Sequence, residues 1–240
     1  MMHCQAFGIT DVGRRRRHNE DAFIIDHERK LFAVADGIGG AAAGEVASAL
    51  FVESCIDVFQ HDDHLSAPDK VHKAYLTANL AITSHSHSNP KTKGMGCTAE
   101  LFTIEGDRYF IGHVGDSRTY LIRNNQLSQL TRDHSYIQDQ MDKGLLSPEE
   151  AKTHWLRNAI NRAVGQGDKF QTDILSAPWQ AGDCFLLCSD GLTDMLNHQE
   201  IADICVIHTT LRERTEALVN AANEKGGNDN ITVLLCQLGQ

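Results

Sequence analysis

No apolar stretch of this 240-residue chain approaches the roughly 20 residues that cross a bilayer, so no membrane-spanning helix is expected. The opening segment MMHCQAFGIT lacks the apolar core of a secretory signal, and the expected location is the cytoplasm. Basic charge is in short supply: 22 Lys and Arg stand against 32 Asp and Glu, a net charge of -10. That balance argues against general binding to nucleic acid or to an anionic membrane. It suits a cation wherever carboxylates converge. CxxC pairs are missing too, which argues against a structural zinc site. The seven cysteines are odd in number, and Cys184, Cys188, Cys205 and Cys236 sit in apolar segments, as reduced buried thiols of a cytosolic protein would.

What is present is an ordinary 41% hydrophobic content, enough core for one large domain or two small ones. Residues 31–35 read as a strand. From residue 44 to 59, Val46, Ala47, Leu50, Phe51, Cys55, Val58 and Phe59 recur at helical spacing. A second helix is expected after Pro68, with Val71, Ala74, Tyr75, Ala78 and Ile82 inward. The middle reads as a meander of consecutive antiparallel strands, CTAELFTI, RYFIGHV and RTYLIR, punctuated by turn residues. Residues 135–165 turn polar and helical, with SPEE as a helix start. Strands follow around DILSAPW and DCFLLC. Asn197 with Glu200 forms a capping box, LRERTEALVNAANEK is a long helix, and ITVLLCQL is a last strand. Hairpins in series flanked by helices indicate packed antiparallel sheets with helices outside, an α+β arrangement.

The stretch LFAVADGIGGAAAGE places Asp36 and three glycines where an apolar strand ends. One reading is a turn, since Asp before Gly starts turns easily. The pattern recurs, however. CFLLCSDG sets Asp190 after a strand, YFIGHVGDSR does so for Asp116, GGNDNITVLL sets Asp229 before a strand, and HNEDAFII does so for Glu20 and Asp21. Strand ends of packed sheets lie near one another, and converging carboxylates repel unless a cation neutralises them. Carboxylates and carbonyls without a Cys–His pattern suit a hard ion such as Mg²⁺ or Mn²⁺.

In this order and spacing, RHNEDAF, VADGIGG, GHVGDSR, LTRDHS, CSDGLTDM and GGNDNITV resemble the metal-dependent protein phosphatases, the type 2C serine/threonine phosphatases, in their bacterial form. The likeness runs from about Gly8 to Leu235. It implies a four-layer α-β-β-α sandwich, one phosphatase domain over residues 1–240, and a small flap segment at about 135–165 beside the active site. It implies hydrolysis of phosphoserine and phosphothreonine by a hydroxide bridging two divalent ions, Mn²⁺ or Mg²⁺. By the same resemblance Asp36 bridges both metals and the Gly37 carbonyl binds the second. Asp190 and Asp229 hold the first, and Asp21 serves the second with Glu20 as competitor. Asp116 with Asp190 matches a third, weaker site. Asn230 supports Asp229. The pattern R-x-x-N-x-D selects Arg16 as the phosphate clamp, its planar fork matching phosphate oxygens. Arg14, Arg15 and Arg17 are left as surface or peptide-contacting residues. No cysteine is followed by arginine at CxxxxxR spacing, consistent with a route that forms no phosphoenzyme.

Two positions depart from the resemblance. Ala41 stands where many relatives carry a histidine after the DGxGG turn, a candidate proton donor, and Trp155 stands where proline is common. His18, His113 and His134 are read as polar turn or strand residues, and HDDH and HSHS as solvated loops. Expected partners are phosphorylated proteins, a Ser/Thr kinase among them, met by a monomer, with no nucleic acid and no membrane. Two other readings are a pseudophosphatase that binds without turnover, and a dedicated phosphatase of an anti-sigma-factor antagonist. The first would lack metal acids, and all four are present; the second usually comes with a sensor domain.

Overall fold

A computed structural model describes residues 3–39, 43–167, 170–207 and 209–239. Its central strands are apolar almost without interruption, because they are buried on both faces. In β3 (Leu31–Ile38), Leu31, Ala33 and Ala35 join one hydrophobic cluster, while Phe32 and Val34 join another. In β10 (Ile231–Gly239), Ile231, Val233 and Leu235 face a third cluster, and Leu234, Cys236 and Leu238 face the second. Side chains alternate across a strand, so parity alone sorts residues between a layer under helices and a layer between sheets.

Two five-stranded antiparallel sheets result. One runs β1 (His3–Asp11), β10, β9 (Cys184–Cys188), β6 (Arg118–Arg123), β7 (Gln126–Gln129). The other runs β2 (Asp21–Asp26), β3, β4 (Gly96–Glu105), β5 (Arg108–Val114), β8 (Asp173–Pro178). Helices α1 (Gly44–His61) and α2 (Ala67–Ser88) cover the second sheet through Phe51, Cys55, Tyr75 and Ile82. After the short helices α3 (Tyr136–Asp142), α4 (Pro148–Thr153) and α5 (Asp190–Thr193), α6 (His198–Ile207) and α7 (Leu211–Glu224) bury Ile201, Cys205, Leu218 and Val219 on the first sheet. Between the sheets, Phe185 packs on Phe102 and Tyr109 with ring centroids 4.4 and 4.8 Å apart. Each such aromatic pair is worth about 0.5–1.5 kcal/mol beyond its burial. This is the α-β-β-α sandwich that the resemblance implied. No helix among the described residues is long and apolar enough to cross a membrane.

Both long helices match their expected faces, and the Ser147–Glu150 and Asn197–Glu200 capping boxes are present. Two strand expectations need correction. The strand read as 31–35 runs on to Ile38, because Asp36, Gly37 and Ile38 keep pairing with Thr98, Cys97 and Gly96 of β4. The meander is broken as well. β5 pairs with β4 and β8, whereas β6 pairs with β7 and β9, so the GDSR segment carries the chain from one sheet to the other. Gly115 permits that crossing: its φ is +108°, and a Cβ there would meet Thr98 at 2.4 Å. The HSHS stretch closes α2 as helix, not loop. All seven cysteines are free; six are buried and Cys4 is half-buried.

Candidate active site

Antiparallel order gathers alternate strand ends. The starts of β2 and β4 and the ends of β3 and β5 share one end of their sheet, as do the start of β10 and the end of β9 in the other, and the bonds of Ser189 and Thr232 to Asp21 join these ends. Asp36 shares the parity of Phe32 and Val34, so its carboxylate enters the space between the sheets. Asp21 lies directly opposite it on β2. Like charges so placed destabilise a sheet. Asp190 opens α5 (Asp190–Thr193) just past β9, Asp229 precedes β10, and Asp116 lies in the crossover between β5 and β6.

These acids feel one another. Loss of solvent, then the charges of Asp21, Asp190, Asp116 and Asp229, hold Asp36 well above the usual carboxylate range. Asp190 is raised likewise, by desolvation and then by Asp116, Asp194, Asp229 and Asp21. Desolvation pushes Asp21 up to about 6 and, with Asp133, Asp116 to about 7. The expected acids are thus brought together. Among the described residues no three His, Cys, Asp or Glu side chains close into a ready metal cage.

The surroundings fit a cation nonetheless. Oδ1 of Asp21 and Oδ1 of Asp190 are buried without a hydrogen-bond partner, a costly state for a carboxylate oxygen. Every candidate donor is an oxygen, as Mg²⁺ and Mn²⁺ prefer. Gly37 admits no side chain: a Cβ would sit 2.2 Å from the Gly44 carbonyl and 2.6 Å from that of Glu20. Asp21 is held by a relay in which Asn19 donates to Thr10 (2.7 Å), Thr10 meets Thr232 (2.7 Å), and Thr232 donates to Asp21 (2.6 Å). Ser189 adds a bond to the same oxygen at 2.8 Å. Glu20 remains a competitor: its Oε2 and the Gly37 carbonyl both crowd the space beside Gly44 at the start of α1, and desolvation, with Asp229 nearby and despite Arg16, raises its pKa.

Arg16 donates to Asp229 at 2.6 Å with about half its side chain exposed. Asn230 bonds Asp229 only through its backbone N–H (2.8 Å). Its side chain instead fastens the 12–20 loop, donating to the Val12 and His18 carbonyls and accepting from Glu20 N–H. Asp194, Ser189 and Thr232 were not singled out in the sequence, although each stands beside a motif acid. Ala41 lies outside the described residues. Trp155 is 83% exposed, and nothing in the structure explains it where proline is common.

His113 lies in strand β5 and His134 in an irregular segment, as the sequence suggested, but neither is a surface residue. Both are buried, with ring centroids 4.4 Å apart. His134 clamps the crossover: its N–H donates to the Gly115 carbonyl (2.7 Å), and its Nδ1 accepts from Gly115 N–H (3.1 Å). Nε2 therefore carries the proton and donates to Asp173 at 3.1 Å. Desolvation, with His113 and Arg162 nearby, pushes its pKa down to about 4. The unfolded chain binds this proton near 6.5 and the folded one does not. Its contribution to stability is full above pH 6.5 and is lost as pH falls toward 4. The melting temperature is expected to drop across that window, and less steeply in His134→Asn, which keeps an acceptor for Gly115. Identical pH profiles for the two proteins would contradict this.

Comparison with known proteins follows the same line. A family model described as Protein phosphatase 2C matches residues 6–231. The serine/threonine phosphatase stp of Listeria welshimeri is 37% identical over 95% of this chain and 93% of its own. The crystal structure of the Mycobacterium tuberculosis serine/threonine phosphatase PstP/Ppp superposes with a TM-score of 0.92 at 34% identity, covering 99% of both chains. A structure of the PstP catalytic domain in complex with two manganese ions superposes with a TM-score of 0.91 at 32% identity, covering all of both.

Proposed function

The chain belongs to the protein phosphatase 2C family, and from that premise we propose that it removes phosphate from phosphoserine and phosphothreonine in proteins with the help of divalent cations. One observation carries the reading: five aspartates from separate segments meet at one end of the sandwich, two of them with buried, unpartnered oxygens. In this proposal Asp36, Asp21, Asp190, Asp229 and the Gly37 carbonyl hold two Mn²⁺ or Mg²⁺ ions, and Asp116 with Asp190 a third, weaker one. Such ions supply positive charge against the phosphoryl oxygens and acidify water into a nucleophile at neutral pH.

The chain's own residues do the rest. Arg16 is anchored to Asp229 through Nη2, which leaves its other N–H donors for phosphate oxygens. The relay from Asn19 through Thr10 and Thr232 holds Asp21 in one orientation without a cation's help. The lack of a side chain at Gly37 lets the Glu20 and Gly44 backbones close against it beside the acids. We read residues 1–240 as a single phosphatase domain in which 135–165 is a flap, acting as a cytoplasmic monomer on phosphoproteins that include a Ser/Thr kinase.

Hydrolysis of p-nitrophenyl phosphate and of a phosphothreonine peptide is expected to cease in chelator and to return with Mn²⁺ or Mg²⁺. Full activity after metal stripping verified by elemental analysis would overturn the cation role. Cation binding by calorimetry without turnover of either substrate would favour a pseudophosphatase.

A further inference from the structure

The phosphate-binding role uses one arginine of a run of four, Arg14 to Arg17. The loop that presents them is fastened on both sides. Gly13 N–H donates to Asp11 Oδ1 (2.8 Å), Arg14 N–H to the Gly227 carbonyl (2.7 Å), and the Asn230 side chain holds Val12, His18 and Glu20. Its backbone is built into the fold while all four arginine side chains stay exposed.

Most arginines elsewhere in this acidic chain are engaged, whereas Arg157 and several lysines make no ion pair among the described residues. Arg29, Arg118, Arg123, Arg132, Arg162 and Arg212 each hold a carboxylate. Among the described residues, Arg14, Arg15 and Arg17 have guanidinium groups with neither hydrogen bond nor ion pair. They flank Arg16, which touches Asp229 of the acid centre. Adjacent Cα atoms lie about 3.8 Å apart, so Arg15 and Arg17 attach to the chain directly beside Arg16, and Arg14 one residue further on.

We propose that Arg14, Arg15 and Arg17 dock negatively charged groups on the substrate segment that carries the phosphoresidue, so that the preferred substrates are acidic or multiply phosphorylated protein segments. The inference rests on the phosphatase reading. Charge complementarity supplies the occupant: a peptide bound with its phosphate at Arg16 places its neighbouring residues over these cations. A long polyanion fits worse. The patch is four residues long, has no aromatic residue interleaved for base stacking, and sits on a molecule of net charge -10 beside the five aspartates.

The test uses phosphothreonine peptides of one length flanked by alanine, by glutamate, or by a second phosphothreonine, turned over by the Mn²⁺-loaded protein. At low salt kcat/KM for both anionic peptides is expected to exceed that for the alanine peptide by about tenfold, and the preference to shrink at 0.5 M salt. In Arg15→Gln/Arg17→Gln it should fall to within about twofold. The glutamate and second-phosphate arms tell carboxylate docking from phosphate docking. Anisotropy with peptides carrying a non-hydrolysable phosphonate reads the same ordering without turnover, so failure of the phosphatase reading is separable from failure of the docking. Equal kcat/KM for all peptides, or a preference that survives the double substitution, would overturn the proposal. So would oligonucleotide binding that the substitutions remove while peptide selectivity stays unchanged.

Discussion

Asp36→Asn is expected to lower hydrolysis of an aryl phosphate by about 10²–10³-fold or more while making the metal-free protein more stable. Asp36 faces Asp21 across two strands and lies within the fields of Asp190, Asp116 and Asp229. Without a cation, neutralising this central acid removes several like-charge repulsions at once. A gain of about 1–2 kcal/mol would raise the melting temperature by roughly 2–4 °C per kcal/mol in a chain of this size. With Mn²⁺ the order reverses, because ligand binding stabilises only what it binds. The parent gains the stabilisation and the variant loses most of it. Melting curves of both proteins in chelator and in Mn²⁺ test the idea. A variant stabilised by Mn²⁺ as strongly as the parent would show that Asp36 is no ligand.

The second large effect lies in the core. Glu100 and His113 are directly opposite on β4 and β5, 0% and 1% exposed, and bonded to each other. Thr119 donates to the second carboxylate oxygen, and His113 Nε2 donates to the Arg132 carbonyl at 2.8 Å. The pair shares one proton in a fully satisfied setting. His113→Leu leaves Glu100 buried with only the threonine, and breaking such a pair costs about 3–5 kcal/mol. That corresponds to a melting temperature lower by roughly 6–20 °C. Glu100→Leu in the same chain should recover part of the loss, since an apolar pair of similar volume no longer strands a charge. Urea titrations of the parent, the single and the double variant decide it. A single variant less than about 1 kcal/mol down, or a double variant no better, would show that the pair is not coupled.

How much of this was legible in the sequence depends on the kind of signal. The helices α1 and α2 declared themselves by periodic apolar positions, and the capping boxes by side chains that bond locally. The strands were visible as apolar runs, yet their partners were not. A strand buried on both faces looks alike in either sheet, and Gly115-Asp116-Ser117 looks like any hairpin turn although it crosses between sheets. β1 went unread because HCQAFGITD mixes half-buried positions of both kinds. The acids at the strand ends are each marked by an apolar strand on one side and a glycine or asparagine nearby, whereas Asp194, which acts on Asp190, has no such mark. Glu100 also left a mark, a lone carboxylate inside CTAELFTI, but its meaning depends on His113 opposite, which only the register supplies.

The pairing of β1 with β10 has a consequence for how the chain is made. His3 to Asp11 find their hydrogen-bonding partners in Ile231 to Gly239, and β1 has no other neighbour in its sheet. During synthesis β1 therefore waits, its ladder groups unpaired, until nearly all the intervening chain has left the ribosome. Helices α1 and α2 with β2 to β5 need only one another and can assemble meanwhile. The opposite sheet closes last, on contacts of the greatest sequence separation in the molecule, the kind that slow folding most. The same closing strand delivers Asp229 and Asn230, so the loop bearing Arg16 is fastened in the step that completes the acid centre. A nascent chain can thus hold Asp21 opposite Asp36 on β2 and β3, but the site is complete only when β10 docks.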